Sequence, residues 1–206
     1  MQTSHALQEQ VFPTIIQIVN GPDILPFRTE GGEPTFSDTH LAQVFRRLVR
    51  EETLAKVFYD GAIVNTTDFI NFFHNQENEI FFVQEKSREV GFFWLNRFRH
   101  KSAFITYCFY RDFRGRHTLG ISRATLDFLF SRTDHYGEHL TDVLLGLTPA
   151  DNKLAVKFLL KNNMTILGRV PGFLYDHRQG KSVDGILSYR QRQNAAVRLP
   201  SLFFVL

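Results

Sequence analysis

Cysteine is almost absent: Cys108 stands alone among 206 residues. A single thiol excludes an intramolecular disulfide and a cysteine-rich zinc site, and it fits a reducing compartment, so the cytoplasm is the expected location. Long apolar runs are missing as well. Nowhere do ~18 consecutive apolar residues occur, and the opening MQTSHALQEQ lacks the basic start and apolar core of an export signal; neither secretion nor a membrane span is expected. Charge of one sign is scarce: 24 Lys and Arg stand against 21 Asp and Glu, a formal net charge of +3, so any basic function must belong to a local cluster. The eight His are scattered, and they include one His-x-x-x-His spacing. His135 and His139 are four apart, but Gly137 lies between them in what reads as a loop. His5, His40, His74 and His100 read as surface or packing residues, and no metal is expected. No linker-like composition divides the chain either. It reads as one domain over 1–206, with an irregular N-terminal extension over 1–35, a core over about 36–190 and a C-terminal tail over 191–206.

What is plentiful is phenylalanine, 22 residues against one Trp and two Met, which predicts a rigid aromatic core. After an opening punctuated by Pro and Gly, TFSDTHLAQVFRRLVREE places Leu41, Val44, Phe45, Leu48 and Val49 at helical spacing behind Ser37 or Asp38 as N-cap. TTDFINFFHN predicts a second, short helix capped by Thr66 or Thr67. The period then changes to that of strands in EIFFVQEK, VGFFWLN and KSAFITYCFY, a three-stranded meander. LGISRATLDFLFSR returns to 3.6, TDVLLGLTP is a strand, ADNKLAVKFLLKNN a helix, and TILGRVPGFLYDH and SVDGILSYRQRQ are closing strands. This order predicts an α/β (α+β) fold, a mixed and mostly antiparallel central sheet flanked by helices. The strand-helix-strand unit from Lys101 to Pro149 should pair its two strands in parallel.

Between the third meander strand and the next helix lies RDFRGRHTLG, Arg111 to Gly120. A loop that runs from a strand's carboxyl end into a helix start meets backbone N–H groups without intrahelical partners and the positive end of the helix dipole. Gly115 permits close backbone approach, and Arg111, Arg114 and Arg116 add attraction for a phosphate. Further on, GLTPADNKLAVKFLLKNNMTILGRVPGF resembles the closing half of the GNAT superfamily of acyl-CoA N-acyltransferases, through Asn152, Ala155, Phe158, Asn163-Met164 and Gly168. RGRHTLG is similar to that family's pyrophosphate loop, and the resemblance covers about Phe36 to Arg190.

The resemblance implies acetyl-CoA as cosubstrate, an unknown primary amine as acceptor and direct acetyl transfer without a covalent enzyme intermediate. The cosubstrate would be bound by Arg111, Arg114, Gly115, Arg116, His117, Thr118, Leu119 and Gly120 at its pyrophosphate, and by Asn152. A backbone N–H around Phe109 or Tyr110 would polarise the thioester carbonyl. Lys153 and Lys157 are candidates for the adenosine 3'-phosphate. Two departures mark a divergent member, of a kind seen among phage-encoded ones: His117 and Leu119 stand at the family's glycine positions, and Leu159 stands where a proton-donating Tyr is usual. Tyr107 and Tyr175 remain as candidate donors, and Glu138, His139 and Asp142 as bases acting through water.

Cys108 reads as a small buried core residue, because no partner at readable spacing activates it. NRFRHK, Asn96 to Lys101, reads as a solvated hairpin turn. Two other functions stay open: a catalytically inactive GNAT-like module binding CoA or a protein partner, and a nucleic-acid-binding domain using Arg97, Arg99 and Lys101 with the loop arginines. Exposed Phe on the first helices, or the tail SLFFVL, would support a homodimer.

Overall fold

The computed structural model describes residues 16–17, 21–29 and 31–193. Its strands are β1 (Ile16–Gln17), β2 (Asp23–Pro26), β3 (Glu79–Glu85), β4 (Arg88–Arg99), β5 (Ser102–Phe109), β6 (Val143–Pro149), β7 (Thr165–Asp176) and β8 (Lys181–Gln191). Its helices are α1 (Asp38–Arg50), α2 (Leu54–Val57), α3 (Thr66–His74), α4 (Arg116–Ser131) and α5 (Lys153–Lys161). The strands form one sheet in the order β1-β2-β3-β4-β5-β6-β8-β7. Every neighbouring pair is antiparallel except β5 and β6, which are parallel, as the strand-helix-strand unit requires.

The meander strands are buried on both faces, so their sequence reads as apolar runs rather than a simple alternation. Along β4, Phe92 and Trp94 enter one core while Phe93 and Leu95 enter the other. The first core lies beneath α1, α2 and α3, where Leu41, Leu48, Phe69 and Phe73 meet Phe82, Phe92 and Trp94. The second lies beneath α4, where Ile121, Leu126 and Leu129 meet Phe81, Phe93 and Ile105. Phenylalanines fill both by offset and edge-on packing, as in Phe73 stacked on Phe82 at 5.5 Å and Phe81 on Phe93 at 5.0 Å. One glycine is required for the approach of β4 to β5: a Cβ at Gly91, whose φ is +153°, would lie 2.1 Å from the Cys108 carbonyl oxygen.

Local chemistry sets the helix starts. Ser37 caps α1 through its hydroxyl, which accepts from the His40 N–H at 3.2 Å. The cap of α3 is Asn65, one residue before the expected Thr66 or Thr67; its carbonyl accepts from the Asp68 N–H and Asp68 reaches back, a reciprocal box that a Thr reading overlooks. The opening stretch is not wholly irregular. β2 pairs with β1 on one side and β3 on the other and buries Ile24 and Leu25; a four-residue strand is too short to show a period of its own in the sequence. The four-residue α2 was equally silent. SLFFVL lies outside the described residues. Among the described residues, no helix is long and apolar enough to cross a membrane.

Candidate functional site

Strands β5 and β6 are in register only at Ser102–Val143, Ala103–Leu144 and Phe104–Leu145. Beyond that point β5 continues to Phe109 against β4, while β6 continues to Pro149 against β8, so the two part and leave a wedge at their carboxyl ends. Antiparallel pairing alternates the direction of backbone groups. The Tyr110 N–H donates to the Val90 carbonyl at 3.0 Å, which turns the N–H of Phe109 the other way, toward the wedge. Of the two amides expected to polarise a carbonyl, Tyr110's is therefore already bonded within the sheet, and Phe109's faces the gap.

Aromatic side chains line one flank. Tyr107 stacks on Phe109 at 5.6 Å, and Phe158 of α5 meets both edge-on. Helix α5 buries none of its residues, so this flank is loosely covered. Ser122 of α4 hydrogen-bonds the Asn162 side chain, and Asn162 Nδ2 donates to the Phe158 carbonyl at 2.9 Å, tying the two helices together behind the wedge.

The loop after β5 makes a 3-10 turn over Arg111–Phe113 and enters α4 through Gly115, whose φ of +137° few other residues tolerate. Among the described residues nothing lies within 4 Å of a Cβ built there, which leaves room for an anion at the helix start. The loop is held from behind: the Arg111 N–H donates to Glu51 Oε2 at 2.7 Å. Burial works against the Glu51 carboxylate, but hydrogen bonds from Arg47 and from the Arg111 N–H hold its pKa below the usual range. Arg114 does not project toward a phosphate. Its Nε donates to the Phe109 carbonyl at 3.3 Å and its guanidinium to Thr53 Oγ1 at 2.7 Å, a buckle between β5 and the end of α1. His117 pairs with Glu85, and the buried Thr118 hydroxyl donates to the Gly115 carbonyl at 2.7 Å. Leu119 and Gly120 follow within the helix. Asn152 caps α5, accepting from the Ala155 N–H at 3.2 Å. Lys153 and Lys157 are exposed on α5.

Three candidate bases are misplaced. His139, Glu138 and Asp142 lie at the amino end of β5, where Glu138 pairs with Lys101 at 2.7 Å and the Asp142 N–H donates to the Lys101 carbonyl. That is a strand's length, roughly 23 Å, from the loop. The sequence brings them close only along the chain, because α4 returns it to the start of the sheet. Tyr107 is a poor acid: burial pushes its pKa far up, against the Thr125 hydrogen bond at 3.1 Å. Tyr175 is half exposed on the edge strand, two strand positions or about 10 Å outside β6. Leu159 packs toward Gly146 of β6 and offers no proton. Cys108 is buried, and burial pushes its pKa far up, as a core residue requires. Arg97 lies over Phe104 and Lys101 is paired, so the hairpin cations and the loop arginines occupy opposite ends of β5 and form no single surface. Sequence reasoning missed Glu51 and Thr53, which hold the loop from 60 residues away, with no local signal for either.

No family model matches the sequence, and no curated protein does. Solved structures do. The microcin C7 self-immunity acetyltransferase MccE, in complex with acetyl-CoA and AMP, superposes with a TM-score of 0.62 at 17% identity, covering 87% of this chain and 97% of that one. An acetyltransferase from Salmonella typhimurium that modifies the N-terminal serine of ribosomal protein L7/L12 gives 0.67 at 14%, covering 86% and 98%. A probable acetyltransferase of the GNAT family from Chromobacterium violaceum gives 0.63 at 11%, covering 93% and 96%. At these identities the likeness is one of architecture, and the fold of this chain is that of the GNAT acetyltransferases.

Proposed function

We propose that the chain moves an acetyl group from acetyl-CoA to a primary amine by direct transfer. The observation that carries this reading is the wedge, into which the Phe109 N–H points, beside an open helix start at Gly115. The residues fit the cosubstrate. Backbone N–H groups of Arg116, His117 and Thr118 at the head of a 16-residue helix suit a pyrophosphate, and Phe109 and Phe158 suit an extended apolar arm. Acetyl-CoA brings the activated acetyl group and a thiolate that leaves with the C–S bonding pair. The Phe109 N–H stabilises charge on the acetyl oxygen as the amine nitrogen forms the new C–N bond. The ammonium proton passes to water, since Tyr107 holds its own proton too tightly to exchange it. A neutral amine and close positioning then supply most of the rate.

The acceptor enters from the neighbours only as a class. One relative in fold acts on a protein N-terminal serine, so a peptide α-amine belongs in any screen beside small amines. The reading places the chain in the cytoplasm, where acetyl-CoA is made and a free thiol stays reduced. Leu159 and the bonded Tyr107 hydroxyl favour a second reading, a module that binds CoA or a protein partner without catalysis.

Thermal unfolding tests the first step. Acetyl-CoA at ~100 times its dissociation constant should stabilise the fold by about 2.7 kcal/mol, and adenosine should not. No shift at millimolar acetyl-CoA would refute cosubstrate binding. A shift without thiol release across the amine screen would favour the second reading.

A further inference from the structure

The end of the sheet that carries the loop also carries two adjoining clefts, and their charge is not balanced. The larger, about 430 Å³, runs along the flank of α1 and is lined by His40, Arg46, Arg47, Arg50, Glu89 and Tyr110 among others. Its floor centres on Glu89: the Tyr110 hydroxyl donates to that carboxylate, Tyr110 is completely buried, and His40 Nε2 lies 2.9 Å from the carboxylate but makes no hydrogen bond among the described residues. Arg47 is fixed over the Tyr110 ring at 3.9 Å by Glu51 at 2.7 Å and Asp112 at 3.3 Å. Arg46 and Arg50 are different. Both are exposed on the cleft rim, and among the described residues neither has a carboxylate within 4 Å. Elsewhere Glu79, Glu85, Asp127, Glu138, Asp142 and Asp184 each take a cationic partner. The smaller cleft, about 400 Å³, adds Lys86, Arg88 and Arg114 on the other side of Asp112.

Arg46 and Arg50 stand four apart on one helix face, a spacing at which like charges repel. The helix's negative end offsets this for Arg50, in the last turn, but much less for Arg46. A guanidinium is suited to bind planar or tetrahedral oxyanions through paired N–H donors.

We propose that the α1 cleft is an anion subsite that takes a phosphoryl group between Arg46 and Arg50, with Arg47 as its fixed wall. The phosphoryl group has two sources, the 3'-phosphate of CoA or a separate phosphorylated ligand, and the site does not depend on acetyl transfer. The test compares the full chain with Arg46→Glu/Arg50→Glu, and with Arg99→Glu/Lys161→Glu as a control of equal charge change at the other end of the sheet. Inorganic phosphate, CoA and dephospho-CoA are titrated against each by calorimetry at fixed ionic strength, with circular dichroism to confirm folding. The expected result is a phosphate dissociation constant raised at least tenfold in the α1 variant and unchanged in the control. If CoA also weakens while dephospho-CoA does not, the source is the CoA 3'-phosphate. If both keep their affinity, the site serves a separate phosphorylated ligand. An equal loss in both variants, no loss in either, or no phosphate binding to the natural chain overturns the proposal. None of these outcomes bears on the acyl-transfer reading, which rests on the wedge and on acetyl-CoA itself.

Discussion

Over β2 to β5, helices α1 and α3 bury Leu41, Leu48, Phe69 and Phe73 to less than 1% exposure against Phe82 and Phe92. Over β6 to β8, helix α5 buries nothing, Leu154 is 80% exposed, and β7 shows Leu167, Phe173 and Tyr175 to solvent. The two halves hold the same kinds of element with very different packing. The first is a rigid platform whose aromatic rings fix the end of β5; the second stands off from it at the wedge, where a ligand rather than side chains would fill the space. Stability and binding should therefore separate along the boundary between β5 and β6.

The sharpest test of that separation is a pair of truncations. Phe92→Ala, in the packed half, should cost about 3–5 kcal/mol in chemical unfolding. Phe158→Ala, partly buried at the wedge, should cost about 1–2 kcal/mol and should weaken acetyl-CoA more than it weakens the fold. Equal destabilisation by the two would erase the contrast. Next in size is Gly115→Asp, which sets a carboxylate at the head of α4 and should weaken CoA about a hundredfold by calorimetry. Gly115→Asn carries the same backbone strain without the charge and should lose far less. Similar losses in both would remove the helix start from the binding account.

The smallest effect concerns the hairpin that closes the looser half. Asp176 is buried at its tip and accepts from the Arg178 guanidinium at 2.9 Å and from Gln179 Nε2 at 3.0 Å. The Arg178 hydrogen bond, against some cost of burial, lowers its pKa to about 2. The folded value lies below that of the unfolded chain, so the carboxylate stabilises the fold in full above roughly pH 4 and loses its contribution as pH falls toward 2. Asp176→Asn should lower stability at pH 7 and flatten that acid limb in urea unfolding. An unchanged limb would mean that the hairpin tip contributes nothing to global stability.

Much of the architecture was legible. The change of period from 3.6 to 2 at Glu79 and back after Gly120 follows directly from which residues must face a core. The parallel pair of β5 and β6 follows from a helix between two strands. Less of the site was legible. Gly115 marks itself through the backbone freedom that a helix entrance demands, but Arg114 reads as a phosphate ligand and turns out to buckle the loop to Thr53. His139 and Tyr107 read as catalytic through residue type alone; one lies at the wrong end of β5 and the other is held by Thr125.

The sequence by itself determined the order of elements, the aromatic core and the place where a helix begins against a strand's carboxyl end, because each depends on residues close together in the chain. Only the tertiary structure decided which groups meet there. Glu51 on the Arg111 N–H, Phe158 on Phe109, and the outward turn of the Phe109 N–H all depend on strand register and helix docking across long stretches of chain. Local periodicity carries no information about such distant contacts.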